Sequence, residues 1–127
     1  MTYMTTPSIQ NYLKAIGELR DADGRVTTCV LARHLGIAPA SVTNMMQRLA
    51  SDGLVDYVPY RGVALTTAGE REAEAMSRKH EIIEQYLIGT LGFDDAQAHA
   101  EAERLEHAAS HELVERMQDQ TRQFAAV

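Results

Sequence analysis

Apolar residues recur at helical spacing from the start of the chain. The pair Thr6-Pro7 has the order expected where a helix begins, with Thr at the N-cap and Pro at the first helical position. One apolar stripe follows, formed by Ile9, Tyr12, Leu13, Ile16 and Leu19. The polar run 21–24 contains two Asp and a Gly and predicts the loop that ends this first helix.

Two shorter helices are predicted next. Thr28 is the expected cap of a helix that continues through His34 and stops at Gly36. After a tight turn, Pro39 opens a third helix that runs to about Asp52. Its inward side is predicted to consist of Val42, Met45, Met46 and Leu49.

The pattern then changes from helical to β-type. Residues 54–58 and 63–65 are rich in Val, Leu and Tyr, and the turn 59–62 between them ends in a Gly that can take positive φ. These two strands predict a small hairpin. The order of helices, turn and hairpin is that of a winged helix-turn-helix, with the third helix as the recognition helix and the hairpin as the wing.

Three further helices are predicted in the rest of the chain. Thr67 and Glu70 have capping-box spacing and start a long helix that reaches about Leu91. Residues 94–97 cap a helix running to about Ala109. Ser110 caps the last helix, one side of which is expected to hold Leu113, Val114 and Met117. We therefore expect a mainly α fold, with a winged helix-turn-helix DNA-binding domain over residues 1–72 and a helical domain over residues 73–127.

Composition narrows the class of protein. The chain has 127 residues, of which 45% are hydrophobic and 24% charged, as in an ordinary globular protein. No run approaches the roughly 20 apolar residues that span a bilayer, and the N-terminus lacks the features of a secretory signal. The single Cys excludes an internal disulfide framework and a four-cysteine zinc site. A cytoplasmic protein without membrane contact is expected.

The net charge of −6 is unevenly distributed. Residues 1–79 contain nine Lys or Arg and eight Asp or Glu, a net charge of +1, whereas residues 80–127 contain three and ten, a net charge of −7. The first part can approach a phosphate backbone, and the second is suited to holding cations.

The predicted recognition helix has the side chains that reading a major groove requires. Small or polar residues stand at its entering end, where the helix must sit deep in the groove: Ala40, Ser41, Thr43 and Asn44. Asn44 could read adenine, while Ser41 and Thr43 could bond to phosphates or base edges. Arg48 is expected to meet the DNA backbone, and Arg61 at the wing tip a phosphate or the minor groove.

Histidine and glutamate recur at helical spacing in the second half. His80 and Glu84 are four residues apart, as are His99 and Glu103, and Glu106 and His107 follow three and four residues after Glu103. Residues at these offsets share a helix face and can reach one ion. Imidazole and carboxylate ligands without thiolates suit Mn²⁺ or Fe²⁺. His111 and Glu115 have similar spacing, but we expect His111 to be solvated.

Two other functions are compatible with the residues alone. The His/Glu pairs also occur on ordinary solvated helices, so a metal-independent winged-helix regulator that responds to an organic ligand is the main alternative. A hydrolytic metalloenzyme is disfavoured, because no general base stands apart from the ligands and no nucleophile stands beside a base. We expect no enzyme activity and no organic cofactor.

The chain resembles the diphtheria-toxin-repressor and manganese-transport-regulator family of metal-dependent repressors. The similarity covers nearly the whole sequence. The stretches that carry it best are Pro7–Leu13, Ser41–Thr43, Asp52–Val55, Tyr60–Gly62, Leu65–Thr66, Arg78–Glu81 and Glu103–His107.

The resemblance implies that residues 73–127 form a metal-binding and dimerisation domain, that the protein binds operator DNA as a homodimer, and that two metal sites lie between the domains. By matching positions, the main site would take Asn11, Glu103, Glu106 and His107, and the second site His80, Glu84 and His99. It also implies a mechanism in which a bound ion restrains the winged helix. Two recognition helices would then be held about 34–36 Å apart, the spacing of successive major grooves.

Three departures from the family pattern bear on these sites. Asn11 stands where manganese-type members have Asp and iron-type members Met. Lys14 replaces a Glu ligand of one manganese-responsive branch, which disfavours that branch's bridged ion pair. The sequence ends where many iron-type members continue into a small β-barrel, so we expect the two-domain form. Glu103, where iron-type members often have Cys, favours Mn²⁺ slightly over Fe²⁺.

Overall fold

The structure is a computed structural model that describes residues 7–125. Within this range it contains six helices and a three-stranded sheet, which confirms the predicted mainly α fold with a winged helix-turn-helix. The elements are α1 (Pro7–Leu19), β1 (Arg25–Val26), α2 (Thr28–Leu35), α3 (Pro39–Ser51), β2 (Val55–Val58), β3 (Gly62–Leu65), α4 (Thr67–Gly89), α5 (Asp95–Leu105) and α6 (His111–Ala125). Two compact units meet at Glu74 and Ala75, within α4.

The first unit is built around the apolar stripes of its helices. Its core contains Ile9, Leu13 and Ile16 from α1, together with Leu31 from α2 and a set from α3 consisting of Val42, Met46 and Leu49. Met45 and Leu19 pack at the edge of this core as partly buried residues. The predicted N-cap at Thr6 lies outside the described residues.

A third strand joins the predicted hairpin. The sheet order is β1-β3-β2 with antiparallel neighbours, and Arg25 pairs with Ala64 while Val26 pairs with Val63. β1 was not predicted, because two residues are too few to show an alternating pattern. Its pairing depends on β3, which lies far along the chain.

Two helix starts differ from prediction by one residue. Thr27, not Thr28, is the N-cap of α2, because its hydroxyl accepts the Val30 amide at 3.2 Å. Thr66, not Thr67, caps α4, since its hydroxyl accepts the Gly69 amide at 3.2 Å. In both cases two adjacent Thr residues are possible N-caps. The direction in which the backbone enters the helix determines which of the two hydroxyls faces the free amides.

The second unit consists of the rest of α4 together with α5 and α6. Its core contains Ile83 and Leu87 from α4, Ala98 and Ala102 from α5, and Val114 from α6. The predicted caps at both later helices are confirmed, since Asp94 forms a capping box with Gln97 and Ser110 accepts the Leu113 amide.

Two helices in this unit end earlier than predicted. α4 ends at Gly89 rather than near Leu91, and α5 ends at Leu105 rather than near Ala109. Of the apolar residues predicted to share one side of α6, Val114 is buried, whereas Leu113 is 44% exposed. No helix in residues 7–125 has the length and apolar character needed to cross a membrane.

Candidate metal centre and nucleic-acid interface

His80, Glu84 and His99 bring three ligand atoms together in the second unit. His80 Nε2 lies 2.9 Å from Glu84 Oε2 and 3.2 Å from His99 Nδ1. His99 Nδ1 lies 3.6 Å from Glu84 Oε2, so the three atoms form a triangle. His80 and Glu84 are one turn apart on α4, while His99 comes from α5. The structure thus brings together the three residues that the family resemblance assigned to the second site.

The helices that carry this triangle are held close by small residues. Ala98 and Ala102 of α5 are fully buried in the same core as Ile83 of α4. Alanine side chains allow two helix backbones to approach closely, so short-reaching side chains such as His and Glu can meet across the interface. The apolar periodicity of both helices therefore determines where the polar ligands converge.

The triangle fits a divalent cation. Ligands bonded to one ion at about 2.1 Å lie about 3.0 Å apart at right angles and about 3.4 Å apart at tetrahedral angles. The three observed separations of 2.9, 3.2 and 3.6 Å fall around these values. Two imidazole nitrogens and one carboxylate oxygen are a donor set that suits Mn²⁺, Fe²⁺ or another divalent transition ion.

Glu106 contacts the His80 ring on the side away from the triangle. Its Oε2 lies 2.6 Å from His80 Nδ1, on the opposite side of the ring from the triangle, and the residue is only 1% exposed. A proton on Nδ1 donated to this carboxylate leaves Nε2 with a lone pair directed at the triangle. Such a carboxylate–histidine arrangement orients a metal-binding ring and increases its basicity.

Lys79 is electrostatically linked to this buried carboxylate. Burial lowers the pKa of the Lys79 ammonium, and the negative charge of Glu106 opposes that effect by raising it. The buried Glu106 therefore has a cationic neighbour as well as its histidine partner, which is what a carboxylate removed from water requires.

The residues predicted for the main site are arranged differently from the expected single helix face. Because α5 ends at Leu105, Glu106 is the C-cap of that helix and His107 lies in the turn beyond it. Glu103 remains on α5, where its Oε1 lies 3.5 Å from His99 Nε2. Glu103 and Glu106 thus each contact a histidine of the triangle.

His107 and Asn11 are the other two residues predicted as ligands of the main site. The His107 side chain is 17% exposed, and its Nε2 lies 3.7 Å from Glu106 Oε1. Asn11 is an exposed residue of α1 in the first unit. Their joint role in the main site stays a prediction.

His111 provides a useful contrast with the triangle. It lies 3.2 Å from Glu115, also four residues away on a helix, but its side chain is 89% exposed. Among the described residues, His80, Glu84 and His99 form a group of three side chains that could hold a metal ion. His111 does not belong to such a group within this part of the chain. Helical spacing alone therefore does not make a site, since a second helix must contribute.

The helix-turn-helix presents the predicted DNA-reading residues on its surface. Ala40, Ser41, Asn44 and Arg48 are exposed on α3, and Thr43 is half-buried with its hydroxyl 3.2 Å from the Pro39 carbonyl oxygen, to which it donates. Arg61 is exposed beside the wing turn. The contacts of these six residues with DNA stay a prediction.

The helix-turn-helix segment lacks acidic residues. Residues 26–51, which include α2 and α3, contain no Asp or Glu, although the chain has 18 of them. The same segment contains Arg33 and Arg48, both exposed. An acid-free surface of this kind can approach an anionic backbone without charge repulsion. This acid-free segment and the fully exposed Tyr60 are functional candidates that the helical spacing and the motifs did not indicate.

Comparison with known proteins matches both units to one family. The family described as "Iron dependent repressor, N-terminal DNA binding domain" matches residues 4–63, and "Iron dependent repressor, metal binding and dimerisation domain" matches residues 66–126. A similar protein of Methanocaldococcus jannaschii, the HTH-type transcriptional regulator MJ0568, is 41% identical over 111 residues, which are 87% of this chain and 89% of that protein.

Two solved structures have a similar fold. A "Manganese-dependent transcriptional repressor complex with manganese" is 37% identical, with a TM-score of 0.76 over 88% of this chain and 51% of the other. The T. acidophilum IdeR structure is 28% identical, with a TM-score of 0.76 over 94% of this chain and 55% of the other. The present chain therefore spans about half the length of these two structural relatives.

Proposed function

The chain belongs to the iron-dependent repressor family of DNA-binding transcriptional regulators, which are not enzymes, and on this premise we propose that it represses metal-homeostasis genes. In this proposal Mn²⁺ or Fe²⁺ activates the protein, which binds operator DNA in the cytoplasm as a homodimer. The observation that carries the proposal is the triangle of His80, Glu84 and His99, with Glu106 behind it.

The donor set favours Mn²⁺ slightly over Fe²⁺ as the activating ion. Each residue proposed as a ligand offers nitrogen or carboxylate or amide oxygen, and Glu103 adds a hard oxygen beside His99. Hard oxygen ligands suit Mn²⁺ well, whereas both ions accept imidazole. The proposed ligands of the main site remain those that the family resemblance implies, namely Asn11, Glu103, Glu106 and His107.

Activation requires a difference in metal affinity between two states of the protein. When bound, the divalent cation would supply positive charge that neutralises clustered carboxylates and joins their side chains. A coupling free energy of about 1–3 kcal/mol between metal and DNA would give roughly fivefold to 150-fold regulation. His80, Glu84 and His99 contribute to this coupling by presenting preformed ligand atoms, and Glu106 by holding the His80 ring.

Homodimerisation is supported by apolar side chains on the surface of the second unit. Leu91 is 56% exposed, Leu113 44% and Phe124 56%. Large apolar residues of this kind are often covered by a partner, particularly on a domain of a type described as a dimerisation domain. We propose that a second copy of the chain covers part of this surface.

The proposal is tested by measuring DNA affinity with and without the ion. Operator duplexes are first selected from a random library by the Mn²⁺-loaded protein, and their binding is then followed by fluorescence anisotropy. We expect Mn²⁺ to raise the affinity of chelator-stripped protein, and His99→Ala to reduce the response. Glu106→Ala or His107→Ala should abolish it while leaving a folded dimer.

His111→Ala is the matched control, because it removes a histidine from an equally spaced but exposed His/Glu pair. It should leave the Mn²⁺ response unchanged. Equal DNA affinity with and without Mn²⁺ or Fe²⁺, together with no metal in protein purified without chelator, would contradict the proposal. That result would instead favour a winged-helix regulator that responds to an organic ligand.

A further inference from the structure

The tip of the wing holds an exposed aromatic residue in an unfavourable backbone conformation. The Arg61 amide donates to the Val58 carbonyl oxygen at 3.0 Å, and Pro59 precedes Tyr60, whose φ is +69°. Pro at the second and positive φ at the third position are features of a type II turn, in which the third residue is usually Gly or Asn. Tyr60 is instead a large side chain that is fully exposed, at 106% of its reference area.

The turn is fixed in place by a close backbone approach. Gly62 follows the turn with a φ of +97°, and a Cβ atom there would lie 2.3 Å from the Val26 carbonyl oxygen. Only Gly allows β3 and β1 to come this close. Because Val26 immediately precedes the Thr27 cap of α2, this contact sets the position of the wing relative to the start of α2.

Between the wing and the helix-turn-helix runs a groove of about 610 Å³, which we call the wing groove. One side consists of Thr28 and Cys29 from α2 and Thr43 from α3, and the other of Tyr57, Pro59 and Tyr60 from the wing. The described residues that line it include no acidic side chain. Residues that carry hydroxyl groups line both sides, Thr28 and Thr43 on one and Tyr57 and Tyr60 on the other, and Thr43 belongs to the recognition helix.

The chemistry of the wing groove favours a strand of nucleic acid. Its volume is within the range of about 300–1,000 Å³ that small organic ligands occupy, so size alone does not identify the occupant. The groove is continuous with the acid-free segment 26–51, which carries exposed Arg33 and Arg48. Neutral hydroxyl donors beside a surface without carboxylates are suited to phosphodiester oxygens.

We propose that the wing groove binds the sugar–phosphate backbone of one DNA strand, and that Tyr60 packs its ring against a deoxyribose at the wing tip. The proposal rests on the proposed function, because it assumes that the protein binds duplex DNA. It adds Tyr60, Tyr57 and Thr28 to the residues that contact DNA. The unfavourable φ of Tyr60 is then explained by the contact that its side chain makes.

The single cysteine of the chain allows a direct test. Cys29 is exposed and lines the wing groove. The rate of its alkylation by iodoacetamide is measured on the Mn²⁺-loaded protein, with and without a fluorescein-labelled duplex of about 30 base pairs and random sequence, long enough for two half-sites. The bound fraction is read by anisotropy in the same samples. We expect alkylation to slow in proportion to the fraction of protein bound.

A second measurement separates the ring of Tyr60 from the charge of Arg61. Tyr60→Gly accepts the positive φ, so its unfolding midpoint should not fall, but loss of the ring contact should weaken DNA binding by about twofold to tenfold. Its salt dependence should be unchanged, because no charge is lost. Arg61→Ala should weaken binding and reduce the slope of log affinity against log salt by about 0.9, the value for one phosphate contact.

The outcomes distinguish this proposal from the proposed function. DNA binding with full alkylation of Cys29, or with unchanged affinity of Tyr60→Gly, would overturn the wing-groove proposal and leave the repressor proposal intact. Absence of any DNA binding would overturn both. Slower alkylation with DNA, together with weaker binding and an unchanged salt slope for Tyr60→Gly, would support the backbone site.

Discussion

At the scale of single residues, the buried Glu106 has the clearest structural role. It is almost fully buried, so its charge must be compensated, and its Oε2 lies 2.6 Å from His80 Nδ1. The other ring nitrogen of His80 faces Glu84 and His99. The His80 side chain thus connects the buried carboxylate to two further candidate ligands, the half-buried Glu84 and the exposed His99. A proton donated from Nδ1 to Glu106 would leave Nε2 available for a metal ion.

Replacing this carboxylate should weaken metal binding at the triangle, on which Glu106 acts through His80, and at the proposed main site, where Glu106 is itself a ligand. Glu106→Gln keeps the size of the side chain but loses the charge that orients and polarises His80. Changes of this kind reduce metal affinity by about 10- to 100-fold. Isothermal titration of Mn²⁺ into chelator-stripped protein measures the effect, with circular dichroism to verify the fold.

Glu115→Gln is the control for this prediction. It removes the same charge from a glutamate that also lies beside a histidine, but its side chain is 63% exposed. Its Mn²⁺ affinity should equal that of the unmodified protein. If Glu106→Gln also leaves the affinity unchanged, Glu106 has no orienting role toward His80.

At the scale of elements, the start of α4 shows how closely the backbone is packed. A Cβ atom on Gly69 would lie 2.0 Å from the Leu54 carbonyl oxygen. The Thr66 hydroxyl bridges the same region, because it accepts from the Gly69 amide and donates to the Gly53 carbonyl oxygen at 2.7 Å. The first turn of α4 is therefore joined to the chain that enters β2 by contacts that leave no space for a side chain.

Gly69→Ala should consequently destabilise the first unit. The backbone must shift to relieve the collision, and overpacking of this kind costs about 1–3 kcal/mol. Chemical denaturation followed by circular dichroism should show a lower unfolding midpoint.

Gly89→Ala provides the comparison within the same helix. A Cβ atom at Gly89 meets nothing within 4 Å, and Ala favours helix by up to about 1 kcal/mol over Gly. Its free energy of unfolding should be unchanged or higher. Equal stability of the two variants would show that α4 and the Leu54 backbone are not in tight contact.

At the scale of the whole molecule, charge and exposed apolar surface are distributed according to function. The helix-turn-helix segment has no carboxylate between residues 26 and 51, whereas residues 80–127 carry a net charge of −7. The first distribution suits an anionic partner and the second suits cations. The large apolar side chains exposed on the second unit fit neither role and are better explained by a protein partner.

Leu113→Glu should weaken the dimer, because a charge would be buried against the apolar surface of the partner. Size-exclusion chromatography with light scattering should show a shift towards monomer at low protein concentration. Gln120→Glu adds the same charge on the same helix at an exposed polar position and should remain dimeric. A fully dimeric Leu113→Glu would exclude this part of the surface from the interface.

Several features of the fold follow from local sequence alone. The apolar spacing of α1 and α3, the hairpin with its Gly-containing turn and the caps at Asp94 and Ser110 were predictable, because each depends on neighbours within a few residues. The same holds for the spacing of His80 with Glu84. These interactions are local, so they can be recognised without knowing how the chain folds back on itself.

Tertiary structure decided the features that depend on distant residues. It brought His99 to the His80/Glu84 pair, directed Glu106 at the back of His80, and added β1 to the sheet through its pairing with β3. It also separated His80 from His111, two histidines with equivalent local spacing, because only the first lies against a second helix that supplies another ligand. The physical reason is that a metal centre and a sheet both require groups from separate elements, and their convergence is determined by packing of the core.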